Sequence, residues 1–149
     1  MILIINYPKS VKEVLDDNYK FKKETLELMH YVKHELKIFK GSIEERKQKF
    51  IWLLEQLNRI YNKKTKLEFK DVERNDTSVY SFYLPKEDKI VLVGKLSLIT
   101  FLHEYAHALG KDEYGACKWS INLFKRTFPK SFEKLNQVGH TLVKGELSG

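Results

Sequence analysis

Residues 97–124 read SLITFLHEYAHALGKDEYGACKWSINLF and contain two helical patterns separated by a short turn. Ser97 is suited to cap the first helix through its hydroxyl oxygen. Gly110 is suited to end it, because glycine readily adopts the left-handed conformation that closes many helices. Asp112 is suited to cap a second helix that continues to about Arg126. The segment therefore predicts two consecutive helices joined by a tight turn.

The first of these helices carries the motif His-Glu-Tyr-Ala-His at positions 103–107. Residues four apart lie on one helix face, so His103 and His107 can hold one metal ion through their imidazole nitrogens. Glu104 is placed to accept a proton from water at that metal and pass it to a leaving amine. The alternative is two histidines on an amphipathic helix without a metal. The metal site is favoured because the opposite helix face is apolar. That face consists of Phe101, Leu102, Ala106 and Leu109.

A catalytic zinc ion needs a third protein ligand and an open position. Glu113 is predicted to share an inward helix face with Ala116, where an uncompensated carboxylate would be costly and a metal ion would remove that cost. Asp112 has a structural explanation as an N-cap, and His140 lies further along the chain. We predict Glu113 as the third ligand, with Asp112 and His140 as the alternatives.

Three other histidines need an interpretation. Gly139 allows the backbone to turn beside His140, so this imidazole is a candidate catalytic group that stabilises an oxyanion. A surface histidine with satisfied hydrogen bonds is the alternative for His140. His30 and His34 are also four apart, but they lie off the apolar stripe of their helix and are predicted to face solvent.

The motif residues resemble a known enzyme class. The pattern His103-Glu104-x-x-His107, then Gly110, then Glu113-x-x-Ala116-x-x-Trp119-Ser120-x-x-Leu123 is similar to the zincin metallopeptidases of the gluzincin type. Within that class it resembles the ImmA/IrrE-like family and the minigluzincins. In the ImmA/IrrE-like pattern, Asn, Phe and Ala stand where this chain has Cys117, Trp119 and Ser120. The resemblance covers about residues 88–128.

This resemblance implies a zinc-dependent metallopeptidase that hydrolyses a peptide or protein substrate. Zn²⁺ would be held by His103, His107 and Glu113, and Glu104 would be the general base. The strand Lys89–Val93 would form the sheet edge along which an extended peptide lies. The alternative function is a catalytically inactive or zymogen-like binding protein with the same fold, for which nucleic acid is a candidate partner.

The rest of the chain predicts an α+β fold. A first helix from about Tyr19 to Phe39 is followed by Gly41 as its stop, and a second helix starts at the capping box Ser42–Glu45 and runs to about Tyr61. The first helix has an apolar stripe of Leu28, Met29, Val32, Leu36 and Phe39. Strands are predicted around Leu67 to Phe69, from Val79 to Leu84 and from Ile90 to Val93, with a hairpin turn at residues 85–88. The expected architecture is a compact zincin-like domain. A small antiparallel or mixed sheet would carry the active-site helix and the glutamate helix, preceded by two N-terminal helices.

Length and composition favour one globular domain. The chain has 149 residues, of which 42% are hydrophobic and 32% charged, and no long flexible linker interrupts it. We predict a single domain over residues 1–149. Its residues 1–63 would be mainly helical, and residues 64–149 would form the zincin-like catalytic core.

Charge and cysteine content bear on location and partners. The apolar opening, Met1–Ile5, is too short for a membrane span or a signal peptide. Cys117 is the single cysteine and cannot form an internal disulfide, which fits a reducing compartment. A cytoplasmic protein without a membrane partner is therefore expected. The net charge of +7 makes nucleic acid a candidate partner, but the spread of the lysines along the whole chain gives this candidate only weak support.

Overall fold

The computed structural model describes residues 10–71 and 80–137. Within these residues, six α-helices and a three-stranded mixed sheet form an α+β fold, as the sequence predicts. The helices are α1 (Val11–Val14), α2 (Lys23–Tyr31), α3 (Ile43–Tyr61), α4 (Leu98–Ala108), α5 (Glu113–Thr127) and α6 (Pro129–Gln137). The strands are β1 (Lys66–Lys70), β2 (Phe82–Leu84) and β3 (Lys89–Val93). A π-helical turn, Val32–Leu36, continues α2.

The first long helix is shorter than predicted. It begins at Lys23 rather than near Tyr19, and its π-helical end stops at Leu36. Lys37 ends it in a left-handed conformation with φ 54°, four residues before Gly41, the predicted stop. The short helix α1 is not predicted by the sequence, because four residues are too few to show an apolar period.

The π-helical turn also changes which side chain enters the core. Leu28, Met29 and Val32 are buried as predicted, but Phe39 is 45% exposed and Ile38 is 1% exposed. A wider turn followed by a left-handed residue shifts the helical phase, so the α-helical period no longer applies beyond Leu36. The prediction that Phe39 continues the helical apolar stripe is therefore wrong.

Helix α3 begins as the sequence predicts. The Ser42 hydroxyl accepts a hydrogen bond from the Glu45 backbone N–H at 3.2 Å, and a Glu45 carboxylate oxygen accepts one from the Ser42 N–H at 3.2 Å. This reciprocal pair satisfies two backbone donors that have no partner inside the helix. The predicted inner face is buried through Phe50, Leu53 and Leu57.

Strand β3 is the centre of the sheet, which corrects the prediction that it is an edge. The strand order is β1–β3–β2, with β3 parallel to β1 and antiparallel to β2. Residues 85–88 form the predicted hairpin turn between β2 and β3. Just before β2 begins, the Ser81 hydroxyl accepts a hydrogen bond from the Val93 N–H at 2.9 Å. Both sides of β3 are therefore occupied by this chain.

Helix α4 lies on the sheet and is covered by α5. It contacts β3 and β2 on one side and α5 on the other. Helix α4 contributes five buried side chains to this core: Leu98, Phe101, Leu102, Tyr105 and Ala106. In the described part of the chain, no helix is both long and apolar enough to cross a membrane.

Candidate metal centre

The start of α4, the turn after it and the start of α5 all have the local features that the sequence predicts. The Ser97 hydroxyl accepts from the Thr100 N–H at 3.3 Å and caps α4. Gly110 follows the end of α4 with φ 90°, a conformation that favours glycine. The Asp112 carboxylate accepts from the Gly115 N–H at 2.8 Å and caps α5. These caps place the first residue of α5 directly beside the last turns of α4.

Glu113 uses one carboxylate oxygen to contact both histidines of the motif. Its Oε1 lies 2.9 Å from His103 Nε2 and 3.0 Å from His107 Nε2. The two imidazole rings have centroids 4.9 Å apart and an interplanar angle of 82°. Glu113 is only 8% exposed. The three side chains proposed as ligands from sequence therefore meet at one partly buried point.

The orientation of His107 is set by the turn that follows α4. Its Nδ1 lies 2.9 Å from the Lys111 carbonyl oxygen. A carbonyl can only accept, so Nδ1 carries a hydrogen and Nε2 is the nitrogen that faces Glu113. Histidines that bind metals commonly make this second contact, because it fixes the tautomer and the ring orientation.

The acidic surroundings of His107 favour a cation at this point. Burial by itself lowers the pKa of His107. The hydrogen bond to Glu113, the hydrogen bond to the Lys111 carbonyl and the charges of Glu104 and Glu113 together raise that pKa above 6.5. Without a metal, a proton on His107 balances the negative charge of Glu104 and Glu113. A metal ion would replace this proton at neutral pH.

Cys117 lies next to His103, a contact that the sequence analysis does not predict. Its Sγ is 3.8 Å from His103 Nδ1, and the thiol is fully buried. One potential ligand atom from each of His103, Glu113 and Cys117 lies within 4.8 Å of the others. Cys117 follows Glu113 by four residues in α5, so the two share a helix face. This spacing is the signal available in the sequence.

Glu104 is placed on α4 beside the two histidines and is 3% exposed. Its charge contributes to the raised pKa of His107. A carboxylate held near the imidazoles, but outside the contact between them and Glu113, is suited to accept and return a proton.

The residues at this point fit a zinc ion by their donor chemistry. Two imidazole nitrogens and one carboxylate oxygen are a common ligand set of catalytic zinc sites. Tetrahedral zinc with bonds of about 2.0–2.1 Å separates its ligand atoms by about 3.3 Å. The nitrogen–oxygen separations of 2.9 and 3.0 Å are a few tenths of an ångström shorter. Small side-chain movements would open them to that separation.

The remaining candidate residues do not contribute to this metal centre within the described part of the chain. Asp112 is the N-cap of α5, which is the structural role predicted for it. His140 and the segment Met1–Ile5 lie outside the described residues, so their predicted roles stay predictions. His30 and His34 are exposed as expected, with ring centroids 4.4 Å apart.

Comparisons with known proteins identify no family for this chain. It matches no protein-family model, no curated protein and no solved structure. The similarity to gluzincins therefore rests on the motif residues and on their spacing.

Proposed function

We propose that this protein is a zinc-dependent peptidase whose ligands are His103, His107 and Glu113. The observation that carries the proposal is the contact of both Nε2 atoms with one Glu113 oxygen, at 2.9 and 3.0 Å. A buried carboxylate between two imidazoles needs a cation, and this ligand set is typical of catalytic zinc.

Glu104 is the general base in this proposal. A bound zinc ion supplies Lewis acidity, which lowers the pKa of water and polarises a peptide carbonyl. Glu104 accepts the proton of the attacking water and returns it to the leaving amine. Its burial keeps bulk water away and strengthens its interaction with the reacting groups. His107 is held in the ligating tautomer by the Lys111 carbonyl.

An extended peptide substrate would pair with β2 rather than with β3. Within the described residues, no strand lies on the outer side of β2. Helix α4 packs against this strand, so the edge lies near the motif. Tyr80 and Phe82, before and at the start of β2, are 68% and 36% exposed. Exposed aromatic side chains along a strand that has no outer neighbour among the described residues suit the binding of a peptide strand.

The proposal is tested with the purified full chain and a Glu104→Gln variant. Elemental analysis should find about one zinc per chain in both proteins, because the substitution leaves the three ligands in place. Hydrolysis of a casein-like substrate should fall by about 10²–10⁴-fold in the variant, since an amide cannot accept the proton. Glu55→Gln, an exposed change on α3, is the matched control and should cleave at the parental rate. Cleavage by Glu104→Gln at the parental rate would remove Glu104 from the mechanism.

A second candidate function is a non-catalytic zinc-binding protein, in which Cys117 would be a fourth ligand because its Sγ lies within 4.8 Å of ligand atoms of His103 and Glu113. The thiol now contacts His103 Nδ1 rather than the Nε2 that faces Glu113, so it would have to move to reach the metal. If the thiolate joined the three ligands, the site would have four protein ligands, which is typical of closed structural zinc sites. Substitution with cobalt distinguishes the candidates, because a thiolate ligand produces a charge-transfer band. We expect no such band in the parent and an identical spectrum in Cys117→Ser. A band that is present in the parent and lost in Cys117→Ser would support the closed site.

A further inference from the structure

A cleft adjoins the turn that links α4 to α5. It encloses about 280 Å³ between the segment before α2, the end of α3, and the turn from α4 to α5. Its walls include four aromatic side chains, Tyr19, Phe21, Tyr61 and Trp119. The lining residues of the described cleft include none of the proposed zinc ligands and not Glu104. The cleft is therefore distinct from the point where the two histidines and Glu113 meet.

The aromatic walls form one connected cluster around Trp119. The Phe21 and Tyr61 rings approach Trp119 edge-on, with centroid distances of 6.2 and 6.3 Å. Tyr19 packs on Phe21 at 4.6 Å. Trp119 itself is only 3% exposed, so the cluster is part of the core and holds a defined shape. A flat ring entering the cleft would meet aromatic surfaces in a fixed arrangement.

Three lysines, Lys20, Lys22 and Lys111, supply the charge of the cleft. None of them has a carboxylate within ion-pair distance among residues 10–71 and 80–137. In contrast, Lys118 and Lys125 on α5 pair with Asp16 and Asp17. The three cleft lysines are therefore not ion-paired within this part of the chain, although Asp16 and Glu24 lie near enough to Tyr19 and Tyr61 to contribute, after burial, to the raised pKa of each phenol.

Lys22 is already held in place at the rim of the cleft. Its Nζ lies 4.8 Å from the centre of the Tyr61 ring and donates to the Ile60 carbonyl at 3.4 Å. An ammonium group has three donors, and the Ile60 bond uses one of them. The other two donors of this exposed ammonium group can bind an anion at the rim.

We propose that this cleft binds a small anion that carries an aromatic ring. The ring would pack among the aromatic walls, and the anionic group would bind the lysine ammonium groups. A volume of about 280 Å³ is at the small end of ligand sites, which suits one ring with one acidic group. The anionic group is a phosphate or a carboxylate, and phenyl phosphate and benzoate represent these two sources. The proposal does not depend on the peptidase function.

Trp119 provides the measurement, since it forms part of the wall. The other tryptophan, Trp52, is removed in a Trp52→Phe background, so that all indole fluorescence comes from Trp119. Titration of this full-length protein with phenyl phosphate or benzoate should give a saturable change in emission. Inorganic phosphate and phenol should each bind more weakly, because each lacks one of the two recognised features.

Substitution of the lysines tests where the anion binds. Lys20→Gln combined with Lys22→Gln should raise the Kd of the better probe by about tenfold, since hydrogen bonds to charged groups are lost. Lys23→Gln is the matched control. Lys23 follows Lys22 in sequence, but its side chain is 85% exposed and pairs with Glu27. This variant should bind with the parental Kd.

Three results would overturn the proposal. The first is the absence of a saturable signal with either probe up to about 10 mM, a weak affinity even for a small ligand. The second is an equal loss of binding in Lys23→Gln, which would indicate a general charge effect. The third is binding of inorganic phosphate as tight as that of phenyl phosphate, which would show that the ring is not recognised. Repeating the titration in Glu104→Gln and after zinc removal should leave the Kd unchanged, whatever the outcome for peptidase activity.

Discussion

A single carboxylate oxygen of Glu113 organises the candidate metal centre. It contacts both His103 and His107, while the neighbouring Asp112 turns its carboxylate to the backbone of α5. Two adjacent acidic residues therefore have different tasks because successive positions of the turn point in different directions. The cap belongs to the helix, and the inward carboxylate belongs to the site.

Substitution of these two acids should separate the tasks. Glu113→Gln should raise the Kd for zinc by about tenfold to a hundredfold, because the negative charge that balances the metal is removed. Asp112→Ala should leave the zinc affinity near the parental value and lower the free energy of unfolding by about 1 kcal/mol, as for a lost N-cap. Competition with a chelator measures the affinity, and urea unfolding measures the stability. Parental zinc affinity in Glu113→Gln would exclude this residue as a ligand.

Among the elements, the β2–β3 hairpin depends on Asp88. This residue closes the turn with φ 48°, in the left-handed region. Its Oδ1 accepts hydrogen bonds from the buried Thr65 hydroxyl at 2.8 Å and from the Tyr83 hydroxyl at 2.7 Å. Lys63 lies 3.7 Å from the other carboxylate oxygen. Asp88 therefore joins the start of β1 to the hairpin that supports α4.

Asp88→Asn should destabilise the protein at neutral pH. Burial raises the pKa of Asp88, but the hydrogen bonds from Tyr83 and Thr65 and the charge of Lys63 lower it below 3.8 overall. Asparagine tolerates the left-handed conformation, so the variant removes the charge and not the turn geometry. The expected cost is about 1 kcal/mol.

The pH dependence of this cost follows from the direction of the shift. Since the folded pKa is depressed, the stabilisation is complete well above the unfolded pKa of 3.8 and is lost as the pH falls through the lower folded value. Urea unfolding of parent and variant should therefore differ at pH 7 and converge in strong acid. Asp71→Asn, an exposed change after β1, is the control and should stay close to the parent at both pH values. A gap that stays constant down to strong acid would contradict the assigned role of Asp88.

In the molecule as a whole, Asn122 ties the N-terminal segment to α5. Its Nδ2 donates to the Val14 carbonyl at 2.8 Å, and its Oδ1 accepts from the Asp16 N–H at 2.9 Å. Arg126, one turn further along α5, donates to the carbonyls of Asp17 and Tyr19 at 3.2 and 3.0 Å. These contacts join residues more than 100 positions apart in sequence. The segment before α2 is therefore part of the same packed structure as the candidate site.

Asn122→Ala should lower the free energy of unfolding of the whole molecule by about 1–3 kcal/mol, because a buried carbonyl and N–H lose their partners. Lys118→Ala is the matched control on the same helix. Its ion pair with Asp16 is partly exposed, at 3.9 Å, and should contribute less than about 1 kcal/mol. Thermal and urea unfolding measure both variants. If Asn122→Ala lowers the free energy of unfolding no more than Lys118→Ala does, the Asn122 hydrogen bonds to Val14 and Asp16 are not important for stability.

The sequence by itself determined the features that depend on neighbours three or four residues away. The capping box of Ser42, the caps of α4 and α5 at Ser97 and Asp112, and the placement of His103 and His107 on one face are all local. Helical geometry relates such positions without reference to the rest of the chain. These predictions therefore hold to within a residue or two of the observed helix ends.

Only the tertiary structure decided the features that depend on distant segments. Strand β3 lies at the centre of the sheet because residues 66–70 and 82–84 pair with its two sides, and no local pattern specifies that order. The burial of Ile38 in place of Phe39 depends on a π-helical turn packed within the fold. Cys117 meets His103 because α5 folds back over α4. Periodicity identifies which faces of an element are apolar, but the choice of partner depends on long-range packing of the whole chain.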